Sequence, residues 1–384
     1  MKITRRQLLR LAGLALLSSC APHIEPAATR QPTIKPSNSP TLPATRSPAP
    51  TQTPTLTPTS SPAALIEHVV IFVQENHSFD SLFAGFEGAD GLAHGGVCTD
   101  QTADPDHSHA AALQPNGLAG PSGDCHYTEA QIPNYWRVAR AFTLCDNFFT
   151  EVRGPSAPNY FMLTSAQSPI VDAPRSDICP PVCADVPALP DRLIEKGLTW
   201  ADYGGIFERY PHLAGRPEII SDQSRFLADA QAGSLPHVTW LISYFDLSGH
   251  PPASLCIAEN WMVRVLDAIM QGPHWNSTAV FLTWDDWGGF YDHVEPPVLE
   301  KWADDTPFRL GHRVPCTVVS PYVKAGYISH QQHSHLSLLK FVETLFALEP
   351  LTERDAQASD MLDCFDFAQP PLPALELDER ECAG

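Results

Sequence analysis

Beyond its leader the chain contains no apolar run approaching the roughly 20 residues a membrane-spanning helix needs. No segment repeats, so solenoids and arrays are set aside. Basic residues are scarce: 24 Lys and Arg stand against 44 Asp and Glu, a formal charge of −20. That balance opposes binding to nucleic acid or to an anionic membrane surface. The cysteines show none of the paired CxxC and HxxxH spacing of a finger-type structural zinc site.

What is present begins with an export leader. Arg5-Arg6 precede the apolar stretch Leu11 to Leu17, the layout of a twin-arginine signal, and Leu17-Ser18-Ser19-Cys20 reads as a lipobox. Residues 1–20 are therefore expected to direct export, with Cys20 lipidated and the chain anchored on the outer side of the membrane or secreted. An ordinary cleaved signal without lipid is the plainer alternative. Residues 21–62 hold 11 Pro and 14 Ser or Thr among 42 positions, too little apolar surface for a core. Residues 21–63 are expected to be a disordered tether, spanning about 130 Å if stretched as polyproline II.

The remainder, 64–384, is long enough for one large domain and carries 17 basic against 43 acidic residues, a charge of −26. One use of that charge is solubility, another a local cluster that binds cations. Nine of the ten cysteines fall here, and export permits disulfides. Cys179 and Cys183 could close a short loop, and Cys98 and Cys125 flank a Gly-, Pro- and His-rich excursion. Spacing alone does not fix the connectivity.

Near-continuous apolar runs at 67–73, 237–243, 278–283 and 314–319 read as strands buried on both sides, and 257–270 and 335–348 have helical spacing. The alternation predicts an α/β fold with a mostly parallel sheet covered by helices on both faces. Ligands in such sheets bind beyond the carboxyl ends of strands, where the polar clusters of this sequence occur. One strand runs into Glu75-Asn76 and another into Asp285-Asp286. Adjacent acids at the end of a buried strand repel unless a proton or cation lies between them. A lone pair would more often be a helix cap or a solvated loop acid; two pairs on separate strands point to a divalent metal. Gly154-Pro155-Ser156-Ala157-Pro158-Asn159 leads into a helical stretch, so Ser156 is expected at or just before a helix N-terminus. That position favours an anion or a serine alkoxide, although serine there is most often an N-cap.

Five motifs occur in order: Glu75-Asn76-x-Ser78-Phe79-Asp80; Gly154-Pro155-Ser156-x-Pro158-Asn159; His250-Pro251-Pro252; Asp285-Asp286-x-Gly288-Gly289-Phe290-Tyr291-Asp292-His293; and Arg313-Val314-Pro315 with Ser320-Pro321. Together they resemble the phosphoesterase family of bacterial phospholipases C, related acid phosphatases and plant non-specific phospholipases C, over roughly residues 66–367. The resemblance implies an alkaline-phosphatase-like fold with Ser156 as nucleophile. It also implies a divalent cation held by Glu75, Asn76, Ser156, Asp285 and Asp286, with His107, His250 and His335 around the phosphate. Asn159 and His293 are expected against substrate, a structural role being the alternative for His293. An oxygen shell suits calcium, magnesium or manganese; zinc or iron would need a histidine ligand.

The chain departs from the family pattern at several positions. His77 and Tyr160 stand where arginine is usual, Asp286 where glutamate is, and Gly249 and Ser334 where acidic residues precede the histidines. The expected activity is hydrolysis of a phospholipid or a small phosphomonoester through a phosphoserine. A non-catalytic surface protein that keeps the fold is the alternative of another class. A sulfatase-like hydrolase is disfavoured, because nothing matches the Cys/Ser-x-Pro-x-Arg motif that such enzymes modify.

Overall fold

The structure, a computed structural model, describes residues 65–118, 120–173, 185–301 and 305–382. The expected leader, Cys20, the proline-rich stretch and the Cys179/Cys183 pair lie outside the described residues. The chain divides into units 1–56 and 57–384, and every described residue belongs to the second.

The buried runs form a mixed sheet of eight strands: β1 His68–Gln74, β2 Thr143–Cys145, β3 Trp200–Tyr203, β4 Ile219–Ile220, β5 Val238–Ile242, β6 Thr278–Trp284, β7 Cys316–Val319 and β8 Tyr327–Ser329. Their order across the sheet is β8-β2-β7-β6-β1-β5-β3-β4. All neighbours are parallel except those of β7, which runs antiparallel to both β6 and β2. All seven residues of β1 are buried, as a central strand covered on both faces requires. β1 extends one residue past the apolar run because its ladder with β6 continues through the pair Gln74 and Trp284. β7 starts later than its run, since Pro315 has no N–H to give the ladder.

Five helices bear on the site: α1 Phe79–Phe83, α2 Pro133–Ala141, α3 Ser156–Ser165, α4 Leu255–Met270 and α5 His335–Phe346. They cover opposite faces of the sheet, as strand parity shows. Trp240 and Phe281, both in register with Ile71, turn to one side. There the Trp240 indole donates to the Leu163 carbonyl of α3, and Phe281 meets Phe341 of α5. Trp284, three residues after Phe281, faces the other side and packs on Tyr135 of α2. The helix expected at 335–348 ends at Phe346, where Ala347 turns left-handed at φ 51°. Two disulfides are formed among the described cysteines, Cys98–Cys125 and Cys256–Cys382. No described helix is long and apolar enough to cross a membrane.

Candidate active site

The central parallel strands β5, β1 and β6 end at one edge of the sheet, and the next residues of each supply the site. Because Gln74 and Trp284 are register partners, Glu75-Asn76 emerges beside Asp285-Asp286. Hydrogen bonds fix the crossing: the Asp285 amide donates to the Gln74 carbonyl at 3.0 Å, and the Asn76 amide to Asp285 Oδ1 at 3.0 Å. The His77 amide donates to the Asp286 carbonyl at 3.1 Å. After β5 the chain returns through Ser248, whose carbonyl accepts from the Glu75 amide, and reaches His250. Asn76 has a left-handed backbone at φ 64°, and Gly288 lies against it. A Cβ on Gly288 would fall 2.1 Å from the Asn76 carbonyl oxygen, so only glycine permits this approach.

Ser156 is the first residue of α3 and is partly exposed, so solvent reaches it. Its hydroxyl donates to Asp286 Oδ2 at 3.2 Å and also contacts the Asp285 carboxylate. The preceding loop is built by buried Asn159. Its Oδ1 accepts from the Glu151 and Val152 amides, and its Nδ2 donates to the carbonyls of Val152, Gly154 and Pro155. That side chain is fully engaged with backbone and shapes the serine loop; it does not face a substrate.

Three carboxylates converge with no guanidinium among them. Burial and Asp285 push the Glu75 carboxyl up to about 7. Burial raises Asp285 as well, and burial together with the charge of Asp285 holds Asp286 well above the usual carboxylate range. Asp285 Oδ2 and Asn76 Oδ1 are buried with no hydrogen-bond partner. Buried oxygens are rarely left so, and one divalent cation would satisfy both and offset the mutual repulsion. The donor set Glu75, Asn76, Ser156, Asp285 and Asp286 therefore fits a hard cation bound by oxygen.

The two departures from arginine have structural answers. Tyr160 donates its phenol to Glu75 Oε1 at 3.0 Å. His77 is buried and stacked on Phe290, its Nδ1 is 3.1 Å from the Glu75 carbonyl oxygen, and burial drops its pKa to about 4. Both neighbours are neutral, which leaves the acidic set to a cation.

His107 and His250 stand side by side, ring centroids 5.5 Å apart. The Nδ2 of Asn76 lies 3.1 Å from His107 Nε2, so the amide donates to the ring and keeps its Oδ1 for other work. His250 bonds the Pro251 carbonyl through Nδ1 at 2.7 Å, which leaves Nε2 clear of that carbonyl. Both rings are partly exposed. His335 is placed differently. It is fully buried, its Nε2 donates to the Trp284 carbonyl at 2.9 Å, and burial lowers its pKa to about 4. It props the end of β6 from behind.

His293 also lies outside the cluster. Its Nδ1 is 2.7 Å from Asp80 Oδ2, part of a clasp centred on Arg313. The Arg313 guanidinium, 1% exposed, reaches Asp80 Oδ1 at 2.9 Å, Asp292 Oδ1 at 3.0 Å and the carbonyls of Asp90 and Asp146. The clasp joins the loop after β1 to the loop after β6. Its members are motif residues held against one another, and Arg313, Asp80 and Asp292 are quoted in the motifs without a role. Four anionic or carbonyl partners so far apart in the chain left no local signal for Arg313.

Residues 122–349 match the Phosphoesterase family. The chain is 28% identical to a non-hemolytic phospholipase C of Pseudomonas aeruginosa, over 81% of this chain and 59% of that protein. It is 27% identical to phospholipase C B of Mycobacterium tuberculosis, over 80% of this chain and 79% of that protein. The chain thus spans little more than half the length of the first relative and most of the second. Among solved structures, a protein of the alkaline phosphatase superfamily from Vibrio parahaemolyticus is similar with a TM-score of 0.44 at 11% identity, covering 77% of this chain and 70% of that one. With a family match over more than half its length and the family's motifs gathered at one sheet edge, the chain belongs to the phosphoesterase family.

Proposed function

We propose that this chain hydrolyses phosphoric esters, with Ser156 as nucleophile and a phosphoserine as intermediate. The observation that carries the reading is the contact between the Ser156 hydroxyl, at the start of α3, and Asp286, beside the unsatisfied oxygens of Asp285 and Asn76. When bound, a divalent cation supplies the Lewis acidity that makes a serine hydroxyl nucleophilic near neutral pH. Calcium, magnesium or manganese suits the oxygen donors.

The residues divide the work as follows. The Ser156 Oγ–P bond forms while the ester O–P bond breaks, and the serine proton passes to its acceptor, Asp286 Oδ2. The N–H groups at the start of α3 face charge growing on the phosphoryl oxygens. His250 Nε2 gives a proton to the departing alcohol, its Nδ1 held by the Pro251 carbonyl. Water then forms a new O–P bond as the Ser156 Oγ–P bond breaks. His250 takes the water's proton, and Asp286 returns the serine's. His107 positions Asn76.

The names of the relatives favour a phospholipid, cleaved to diacylglycerol and a phosphorylated head group, over a phosphomonoester. Export, with lipidation at Cys20, belongs to the same proposal, and the two disulfides among the described residues support an oxidising compartment. The test is to assay the full chain and Ser156→Ala on phosphatidylcholine and p-nitrophenyl phosphate, with and without a chelator. The proposal expects cation-dependent release from at least one of them and its loss in the variant. Near-wild-type turnover by Ser156→Ala, or no turnover of either ester by the wild type, refutes it; the second result favours a binding module.

A further inference from the structure

Away from the carboxylates, three side chains from distant parts of the chain converge at the other side of β7. They are Cys145 at the end of β2, Cys364 in the turn Leu362–Cys364, and His333 just before α5. The two sulfurs and one imidazole nitrogen all lie within 4.8 Å of one another. All three residues are sealed from solvent, His333 being 1% exposed and both cysteines 0%. The sulfurs are 3.8 Å apart. A disulfide would need about 2.05 Å. Two thiolates on a tetrahedral ion with bonds of about 2.3 Å are separated by about 3.8 Å, the edge of that tetrahedron.

The histidine is arranged as a ligand. Its Nε2 sits 3.2 Å from Asp363 Oδ1 and 3.2 Å from the Ser329 hydroxyl, while its Nδ1 is buried with no hydrogen-bond partner. A carboxylate that accepts from one ring nitrogen turns the other toward an ion, as is general for metal-bound histidines. Cys316, also fully buried, pairs with Cys145 across β7 and β2, which puts a third sulfur on the same face. Two thiolates and a neutral imidazole around a divalent ion sum to zero charge, which suits a site without water.

We propose that Cys145, His333 and Cys364 form a second, structural metal site for zinc, with Asp363 orienting the imidazole. The ligands come from strand ends and turns, so no short spacing announces them. The ion would tie the C-terminal turn to the sheet edge, independently of the hydrolase reading.

The experiment uses the full chain, purified from zinc-supplemented cells and dialysed against a chelator strong enough to strip an oxygen-bound cation. Elemental analysis should find one equivalent of zinc retained per chain. Cobalt exchange should give the thiolate-to-metal charge-transfer band of a tetrahedral site. The band should be lost in Cys364→Ser and His333→Phe and unchanged in Asp285→Asn. The wild-type spectrum alone decides the matter if the cysteine variants do not fold. Zinc-free wild-type protein with Cys145 and Cys364 reacting as free thiols on unfolding overturns the proposal. So does a Cys145–Cys364 disulfide in peptide mapping, or retention of zinc by folded Cys364→Ser. Loss of zinc in folded Cys364→Ser with phosphoesterase turnover intact still supports it, since the two sites are separate.

Discussion

Replacing Arg313 by methionine tests whether the clasp beneath the carboxylate loops is energetically real. The guanidinium is 1% exposed and pairs with Asp80 and Asp292, which are 2% and 0% exposed. Methionine keeps most of the apolar volume that packs on the Phe79 ring, 4.5 Å from the guanidinium carbon, so the loss is electrostatic. Removing one partner of a buried pair leaves uncompensated charge and costs about 3–5 kcal/mol. At about 2 °C per kcal/mol for a domain of this size, the melting temperature should fall by about 6–10 °C. Urea unfolding at fixed pH gives the free energy directly, provided the transition is two-state. If stranded carboxylates cause the loss, adding Asp80→Asn and Asp292→Asn should recover part of it. A change below about 1 kcal/mol for Arg313→Met, or no recovery in the triple variant, would refute the reasoning.

Gly288→Ala should fold but lose turnover. Its φ is +65° and the new Cβ would meet the Asn76 carbonyl at 2.1 Å, so the ligand loops must separate. A misfit of only 1.4 kcal/mol in the transition state costs about tenfold, measured as kcat/KM. His250→Asn should lower kcat by about 10²–10⁴-fold; near-wild-type kcat assigns the proton transfers elsewhere. Buried His312 has its pKa lowered to about 4, chiefly by desolvation. Below pH 6.5 the unfolded chain therefore takes up a proton that the folded one refuses until about pH 4. Relative to His312→Gln, the wild type should lose about 1.4 kcal/mol of stability per pH unit over that window, and parallel stability curves would contradict this.

Much of the fold was legible because burial on both faces of a parallel sheet writes itself as unbroken apolar runs. The runs at 67–73 and 278–283 became β1 and β6 to within a residue. Ser156 was expected at a helix start and begins α3, since Pro158 fits the first turn. The three-residue strands β2 and β8 were not legible, because so short a segment carries no periodicity. At the site, residue types reveal chemistry but not direction. Asn159 and His293 stand in motifs yet turn toward backbone and Asp80, and His335 turns toward the Trp284 carbonyl. Direction depends on partners up to 213 positions away, as for His293 and Asp80, and no local pattern encodes them.

The parallel pairing of β1 and β6 has a consequence for how such a scaffold diversifies. The gap between Glu75-Asn76 and Asp285-Asp286 is gauged by the sheet itself, at the roughly 4.8 Å between neighbouring hydrogen-bonded strands. Loops farther along the chain are then free to lengthen, shrink or change composition, and so to admit new esters, without disturbing the spacing on which the ion would depend.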